Sequence, residues 1–148
     1  MKLVLDSSVL VKFFLDETHR TEALAILEAI RSGECSAHVP DLAIYEVLST
    51  LTKRLEDESE IRNHLAMFKS FIEAGLLVEH ALSLEALQRA AAIACHDTLG
   101  HGYISSYDAS FHALALELGA TFVTADASHV RKTAAPFGSV SLLSELAL

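Results

Sequence analysis

Four carboxylate side chains stand in apolar or helix-starting stretches of this chain: Asp6, Glu46, Asp108 and Asp126. Asp6 interrupts the run "KLVLDSSVLVKFF", which is otherwise almost wholly apolar. A carboxylate that is buried without a partner is costly, or it takes up a proton. Each of the four therefore needs a reason for its position, either as a structural cap or as part of a site.

The structural explanation is helix capping for three of the four acids. Asp6 and Asp126 each follow an apolar run and precede a predicted helix, where an aspartate accepts hydrogen bonds from free N–H groups. Ser105-x-x-Asp108 matches a capping box, with Asp in place of the usual Glu or Gln.

Glu46 has no such simple explanation, because apolar residues surround nearly the whole helix at its level. A salt bridge to Lys53 or Arg54 is the structural alternative, but these lie two turns away, beyond the usual i+3 or i+4 reach.

Short apolar runs alternate with amphipathic segments along the whole chain, and no linker or repeat divides it. This predicts a single domain over residues 1–148 with an α/β fold, whose short parallel strands are buried on both faces. The predicted strands are 2–5, 35–39, 76–80 and 121–124, with a possible fifth near Val140. The predicted helices are 7–15, 18–33, 40–55 (opened by Pro40), 58–75, 83–100 and 105–119.

This arrangement brings the acids together if the first strand and the 121–124 strand are neighbours. Asp6 and Asp126 follow those strands, Glu46 lies in the helix after the second strand, and Asp108 begins the helix that leads into residues 121–124. Ligands bind such sheets beyond the carboxyl ends of the strands, where the strand order reverses. Clustered carboxylates repel each other unless a divalent cation neutralises them, and Mg²⁺ or Mn²⁺ suits an all-oxygen site.

Composition bounds the function further. A formal net charge of −9 argues against phosphate binding through general positive charge, so a nucleic-acid function would need bound cations or a local basic patch. The only cysteines are Cys35 and Cys95, which we expect to be buried thiols in a reducing setting. No signal peptide or membrane-length apolar run is apparent, so we expect a soluble, cytoplasmic protein.

Three blocks of the sequence together resemble one family. "VLDSSVLVKFF", "VPDLAIYEVLSTL" and "SYDASFHALALELGATFVTADASHV" occur in this order and span nearly the whole chain. They are similar to the PIN-domain nucleases, specifically the VapC-type toxins of type II toxin–antitoxin pairs. The last block is the most specific, because a Tyr-Asp-Ala helix start is followed by a Gly-ended helix and a strand that closes with Thr-x-Asp.

The resemblance implies a three-layer α/β/α sandwich around a parallel sheet of four to five strands, and a Mg²⁺- or Mn²⁺-dependent endoribonuclease. It implies Asp6 and Asp108 as the chief metal ligands, with Glu46 and Asp126 completing an acidic quartet that is both catalytic and metal-binding. Ser7 and Thr124 match hydroxyl positions beside the acids. The resemblance also implies a homodimer and a small antitoxin partner whose tail occupies the cleft.

The chemistry of phosphodiester hydrolysis is consistent with these residues, since carboxylate-held metals stabilise charge on the phosphoryl oxygens and activate water. They also turn an acidic cleft into one that accepts phosphate. The basic residues Lys12, Lys53, Arg54, Arg131 and Lys132 are either a thin rim for RNA or antitoxin, or solvated surface.

Other interpretations stay open at this stage. In a second interpretation, the same fold keeps its acids only as caps or as a surface that docks a protein, which makes the chain a catalytically weak binding module. A phosphoacceptor receiver domain is less consistent, because it needs two adjacent acids after the first strand. His112 shares a helix face with Asp108, and Asp97 is a spare acid in a segment ("CHDTLGH") that lacks clear zinc-ligand spacing.

Overall fold

A five-stranded, wholly parallel sheet forms the centre of the protein, in a computed structural model that describes residues 1–148. The strand order is β3-β2-β1-β4-β5. The strands are β1 (Lys2–Leu5), β2 (Ser36–Pro40), β3 (Leu77–His80), β4 (Thr121–Thr124) and β5 (Val140–Leu142). All the predicted strands, including the one near Val140, are confirmed.

Seven α-helices connect and cover these strands. They are α1 (Ser7–Leu10), α2 (Arg20–Ser32), α3 (Ala43–Arg54), α4 (Glu58–Glu73), α5 (Leu84–Ala94), α6 (Ser106–Leu118) and α7 (Ala127–Phe137). Two short 3₁₀ turns, Val11–Phe13 and Leu143–Glu145, follow α1 and β5. Helix α6 packs on β1, β2 and β4, and α5 packs on α6. The α/β/α architecture is therefore confirmed.

Two helix boundaries differ from the prediction for reasons of backbone geometry. Pro40 does not open α3; it is the last residue of β2, where it lies opposite His80 and needs no N–H for the ladder. Helix α5 ends at Ala94, well before Gly100. Leu99 has a φ of 52°, which no residue adopts inside a right-handed helix, so the segment before α6 is a loop.

The first helix is also shorter than predicted. A single α-helix over residues 7–15 was expected, but α1 covers only Ser7–Leu10 and tightens into the 3₁₀ turn Val11–Phe13. Short 3₁₀ pieces of this kind are frequent at helix ends.

The burial of the strands on both faces explains why their sequences are continuous apolar runs. Leu3, Val4 and Leu5 of β1 are fully buried, as are Phe122 and Val123 of β4. Both faces of the central strands are thus covered, so no position is left for a solvent-facing polar residue.

Helix α6 is nearly as buried as the strands it covers. Its Phe111 is inaccessible to solvent and lies 6.2 Å, ring centroid to ring centroid, from Phe122. Cys35 is buried as predicted, but Cys95 is exposed because α5 ends just before it and the chain turns into the loop. None of the helices combines the length and apolar composition that crossing a membrane requires.

Replacing Phe122 by Ala tests the central packing. We expect Phe122→Ala to lower the free energy of unfolding by about 3–5 kcal/mol, because it leaves a cavity against Phe111. Urea unfolding followed by circular dichroism measures this. Leu84, which is 66% exposed on α5, is the matched control, and Leu84→Ala should change stability by less than about 1 kcal/mol. Equal losses in both variants would contradict the assigned core.

Candidate acidic active site

The sheet places its strand-order reversal between β1 and β4. From β1 the chain builds outward through β2 to β3, and it then returns to the other side of β1 to add β4 and β5. Leu5 of β1 is in register with Val123 of β4, and the Asp6 N–H donates to the Val123 carbonyl at 3.0 Å. The expectation that these two strands are neighbours is confirmed, and the crevice beyond them is where such folds bind ligands.

Asp6 is the centre of a hydrogen-bond network that joins the two strand ends. Its Oδ2 accepts from the Ser8 hydroxyl at 2.5 Å and from the Thr124 hydroxyl at 2.6 Å. The Ala125 N–H donates in turn to Ser8 Oγ, and the Asp126 N–H donates to Thr124 Oγ1, each at 3.0 Å. The loop after β1 and the loop after β4 are thus held together through one carboxylate oxygen.

The details at Asp6 correct one part of the prediction and add a residue to another. Asp6 occupies the N-cap position of α1, but its side chain makes no capping hydrogen bond, and its Oδ2 accepts from hydroxyls instead. The closest hydroxyl contact after β1 comes from Ser8, whereas the Ser7 hydroxyl lies 3.5 Å from Asp6 Oδ1. Sequence reasoning missed Ser8. The available signal was the Asp-x-Ser spacing, in which a hydroxyl two residues after an aspartate can fold back onto it.

Asp126 and Asp108 both stand at helix starts, as the capping explanation predicted. Asp126 is exposed, and its Oδ1 accepts from the Ser128 N–H at 2.8 Å. Ser105 caps α6 by accepting from the Asp108 N–H at 3.0 Å, which sets Asp108 in the first turn. Capping therefore accounts for where these acids sit, while Asp126 Oδ2 takes no part in the cap.

Glu46 is the acid that capping and ion pairing leave unexplained. It is half-buried on α3, and its Oε2 is buried without a hydrogen-bond partner. The predicted alternative of a salt bridge to Arg54 is wrong, since Arg54 pairs with Glu17 at 3.2 Å. Lys53 forms no ion pair either. A buried carboxylate oxygen in this condition is a common mark of a functional site.

The pKa values of Asp6, Glu46 and Asp108 are raised by burial and, to a smaller extent, by the charges of other site acids. Burial raises the pKa of Asp6, with a further contribution from the charge of Asp126. Burial and then the charge of Asp6 raise the pKa of Asp108, which Lys132 opposes. Burial raises the pKa of Glu46 to about 7, with the charges of Asp6 and Asp108 adding to the rise and a hydrogen bond from Ser7 opposing it. The structure therefore brings all four predicted acids into one electrostatic neighbourhood.

The acids are near one another without closing on a single point. No group of three or more His, Cys, Asp or Glu side chains has the arrangement needed to hold one metal ion. Mutual repulsion of like charges is a physical reason for such spreading.

Two residues whose roles the sequence left open, His112 and Asp97, lie outside the acidic site. His112 does not reach the acids, because it lies in the core with its ring nitrogens paired to the His129 ring at 3.1 Å and the Gly138 carbonyl at 2.7 Å. The spare acid Asp97 instead accepts from the Leu99 N–H at 2.9 Å within its own loop. Its charge is not among those that perturb the other acids.

Most of the predicted basic rim is engaged elsewhere. Lys12 is buried and pairs with Glu17 at 3.1 Å, and the same glutamate holds Arg54. Lys132 donates to the Tyr103 carbonyl at 2.8 Å and is the one cation that acts on Asp108. Of the five basic residues, Lys12 and Arg54 are thus neutralised by Glu17, whereas Lys53, Arg131 and Lys132 form no ion pair.

The fold and the site together define the class of this protein. It is a parallel α/β protein whose acidic cleft lies where the strand order of the sheet reverses. The chain belongs to the PIN-domain family, whose model matches residues 3–135. It is 35% identical over 130 residues to Ribonuclease VapC3 of Pyrobaculum aerophilum, an alignment that covers 85% of this chain and 90% of that protein.

Solved structures share the fold at low sequence identity. The VapBC2 structure from Rickettsia felis, bound to a DNA fragment from its promoter, superposes with a TM-score of 0.71 at 15% identity, covering 96% of this chain and 98% of that one. VapC20 of Mycobacterium tuberculosis, a toxin that cleaves the sarcin–ricin loop, gives 0.66 at 14% identity, covering 91% and 95%. At these identities the likeness establishes the fold alone.

Replacing Glu46 by Gln tests the electrostatic coupling. The pKa of Glu46, at about 7, lies above its ordinary value of 4.5. Between these values the folded protein holds a proton that the unfolded chain releases, so this group makes stability fall as pH rises from 4.5 to 7. We expect Glu46→Gln to remove that decline and to be more stable than the wild type above pH 7.

Urea unfolding with chelator present, at closely spaced pH values, measures the difference between variant and wild type. Glu56, which is exposed, provides the control for the same chemical change. If the two glutamine variants show the same pH dependence relative to wild type, the burial of Glu46 among like charges is refuted.

Proposed function

We propose that this protein is a Mg²⁺- or Mn²⁺-dependent endoribonuclease of the VapC type, which hydrolyses RNA phosphodiester bonds at Asp6, Glu46, Asp108 and Asp126. The observation that carries the proposal is the gathering of these acids at the β1/β4 switch point, where burial and the charges of neighbouring acids raise the pKa values of Asp6, Glu46 and Asp108. The relative that is 35% identical over most of the chain bears the name of a ribonuclease, which supports the same reaction.

The donor set fits a hard divalent cation. Asp6 uses Oδ2 for hydroxyls, which leaves Oδ1 with only the 3.5 Å contact to Ser7. Asp126 uses Oδ1 for its cap, and Glu46 Oε2 has no partner at all. Carboxylate oxygens not committed to the fold are the ligands that Mg²⁺ and Mn²⁺ prefer.

In this proposal Asp6 and Asp108 are the chief ligands, and Glu46 and Asp126 complete the set. A divalent cation supplies positive charge for the phosphoryl oxygens and lowers the pKa of coordinated water. Thr124 and Ser8 hold the Asp6 carboxylate in a fixed orientation, and Ser7 lies at its other oxygen. Prepositioned carboxylates of this kind avoid reorganisation during the reaction.

The proposal extends to partners and location. Structures that share the fold include VapBC2 from Rickettsia felis bound to a fragment of its promoter, and FitAcB from Neisseria gonorrhoeae, which matches with a TM-score of 0.67 at 15% identity and covers 97% of this chain and 99% of that one. A small cognate antitoxin that covers the acidic cleft, a homodimer and a cytoplasmic location are therefore part of the proposal.

A binding module that lacks catalysis is the second candidate. It is favoured by one observation, namely that no three acids are arranged to hold one ion. In that case Asp108 and Asp126 would serve only as helix-start residues, and the cleft would dock a protein partner. Cation binding and RNA cleavage discriminate the two candidates.

Asparagine substitutions test catalysis. We expect Asp6→Asn and Asp108→Asn each to lower the rate of RNA cleavage by at least about a hundredfold, since a divalent cation contributes several kcal/mol of charge stabilisation. Gel analysis of a mixture of transfer and ribosomal RNA incubated with Mn²⁺ measures this. Asp97→Asn, in the neighbouring loop, should cleave like the wild type. The proposal would be contradicted if either site variant cleaved RNA as fast as the wild type, or if the wild type cleaved RNA at an undiminished rate in excess chelator.

Cation binding can be measured separately from catalysis, as a rise in the Tm of the protein. A ligand at one hundred times its Kd stabilises the native state by about 2.7 kcal/mol, which for a chain of this size raises Tm by about 5–10 °C. We expect saturating Mn²⁺ to produce such a rise in the wild type and none in Asp108→Asn. Differential scanning fluorimetry is sufficient. No rise in the wild type would favour the binding module.

A further inference from the structure

An apolar groove lies directly beside the acids. It has a volume of about 360 Å³ and is lined by Leu42, Tyr45, Glu46, Ser49 and Tyr107, and we name it the tyrosine groove. Its floor therefore includes one of the four site carboxylates. Each tyrosine immediately precedes a site acid in the sequence: Tyr45 stands before Glu46 on α3, and Tyr107 stands before Asp108 on α6.

The two tyrosines contribute little to the fold. Tyr45 is 71% exposed and Tyr107 is 60% exposed. The aromatic contacts within the protein join phenylalanines and histidines only, so neither tyrosine ring packs on another ring. Exposed apolar surface concentrated in a groove commonly marks a binding site.

The charge around the groove decides what kind of group it accepts. No lysine or arginine lines it, and its one ionisable member is Glu46. A phosphate would therefore meet no positive charge there, whereas a flat neutral ring would meet aromatic faces and the Ser49 hydroxyl. Nucleobases are such rings, and they stack on tyrosine irrespective of their identity.

The rest of the molecule gives a reason for binding RNA through bases. The net charge is −9, and Lys12 and Arg54 are committed to Glu17. Proteins that bind RNA through its backbone use a cationic groove, whereas Lys132 is the one cation whose charge acts on a site acid here. Contacts that do not depend on charge would therefore supply affinity beyond that of a bound cation.

We propose that the tyrosine groove is a base-binding subsite, in which unpaired nucleobases next to the scissile phosphodiester stack on Tyr45 and Tyr107. The inference rests on the proposed ribonuclease function, since it places the bases beside Glu46 and Asp108. Bases inside a duplex cannot stack on the protein, so this subsite acts only on a single strand or a loop at the cleavage point.

Binding is measured separately from cleavage. The probes are single-stranded RNA octamers of random sequence that carry one 2-aminopurine, whose fluorescence is quenched by stacking. They are titrated in Mg²⁺ against the Asp6→Asn protein, which prevents cleavage. Adding Tyr45→Ala or Tyr107→Ala should weaken binding about 5- to 100-fold each and reduce the quenching. Tyr45→Phe and Tyr107→Phe keep the stacking face and should stay within about twofold.

Tyr103 provides the matched control, because it is 96% exposed in the loop before α6 but does not line the groove. Tyr103→Ala should bind like its parent. The same octamers annealed to their complements should bind more weakly and without quenching. Unchanged affinity and quenching in the groove alanine variants would overturn the proposal, as would failure of the parent protein to bind the single strand.

The outcomes separate the subsite from the ribonuclease. If the wild type does not cleave RNA but octamer binding depends on Tyr45 and Tyr107, the subsite stands and the proposed activity fails. If the wild type cleaves RNA and the alanine variants bind and cleave equally well, the subsite fails and the activity stands. A lower molar mass of the alanine variants by light scattering, with RNA affinity unchanged, would assign the groove to contact with a second copy and would also overturn the proposal.

Discussion

The Asp6 carboxylate, buried and held by two hydroxyls, is the interaction on which the site depends. Its Oδ2 accepts from Ser8, in the first turn after β1, and from Thr124, at the end of β4. These residues lie 116 positions apart, yet their hydroxyls are 3.5 Å from each other. One oxygen therefore fixes the relative positions of two loops, and with them the starts of α1 and α7.

Burying these carboxylates near one another lowers the stability of the folded protein, but the same arrangement suits a site that binds a cation. Burial raises the pKa of Asp6, and neighbouring charges add to burial in raising the pKa of Asp108 and Glu46. A raised carboxyl pKa means that the ionised site opposes folding near neutral pH. Binding of a cation or a proton offsets this unfavourable charge. The same ionised carboxylates therefore account for both the loss of stability and the proposed metal binding. Strain of this kind at a functional site is the usual compromise between stability and activity.

The surface around the site has two parts that differ in charge: the four carboxylates and the largely apolar tyrosine groove. The carboxylates require a cation before a phosphate can approach, while the tyrosine groove beside Glu46 offers aromatic surface with no cation. Lys12 is neutralised by Glu17, and Lys132, which acts on Asp108, donates to the Tyr103 carbonyl. A substrate would thus be held at its reacting phosphate by metal and beside it by its bases.

Sequence alone was sufficient for the strands and the fold class, and it nominated the four acids, because these inferences rest on local patterns. The continuous apolar run of residues 3–5 indicates a strand covered on both faces, and Ser105 and Asp126 stand where helices begin. The tertiary structure alone decided that β1 lies beside β4, that Ser8 makes the closer hydroxyl contact to Asp6, and that Glu46 has no ionic partner. It also decided that His112 is a core residue. These outcomes depend on sheet register and on contacts between residues distant in sequence, which periodicity and local spacing do not encode.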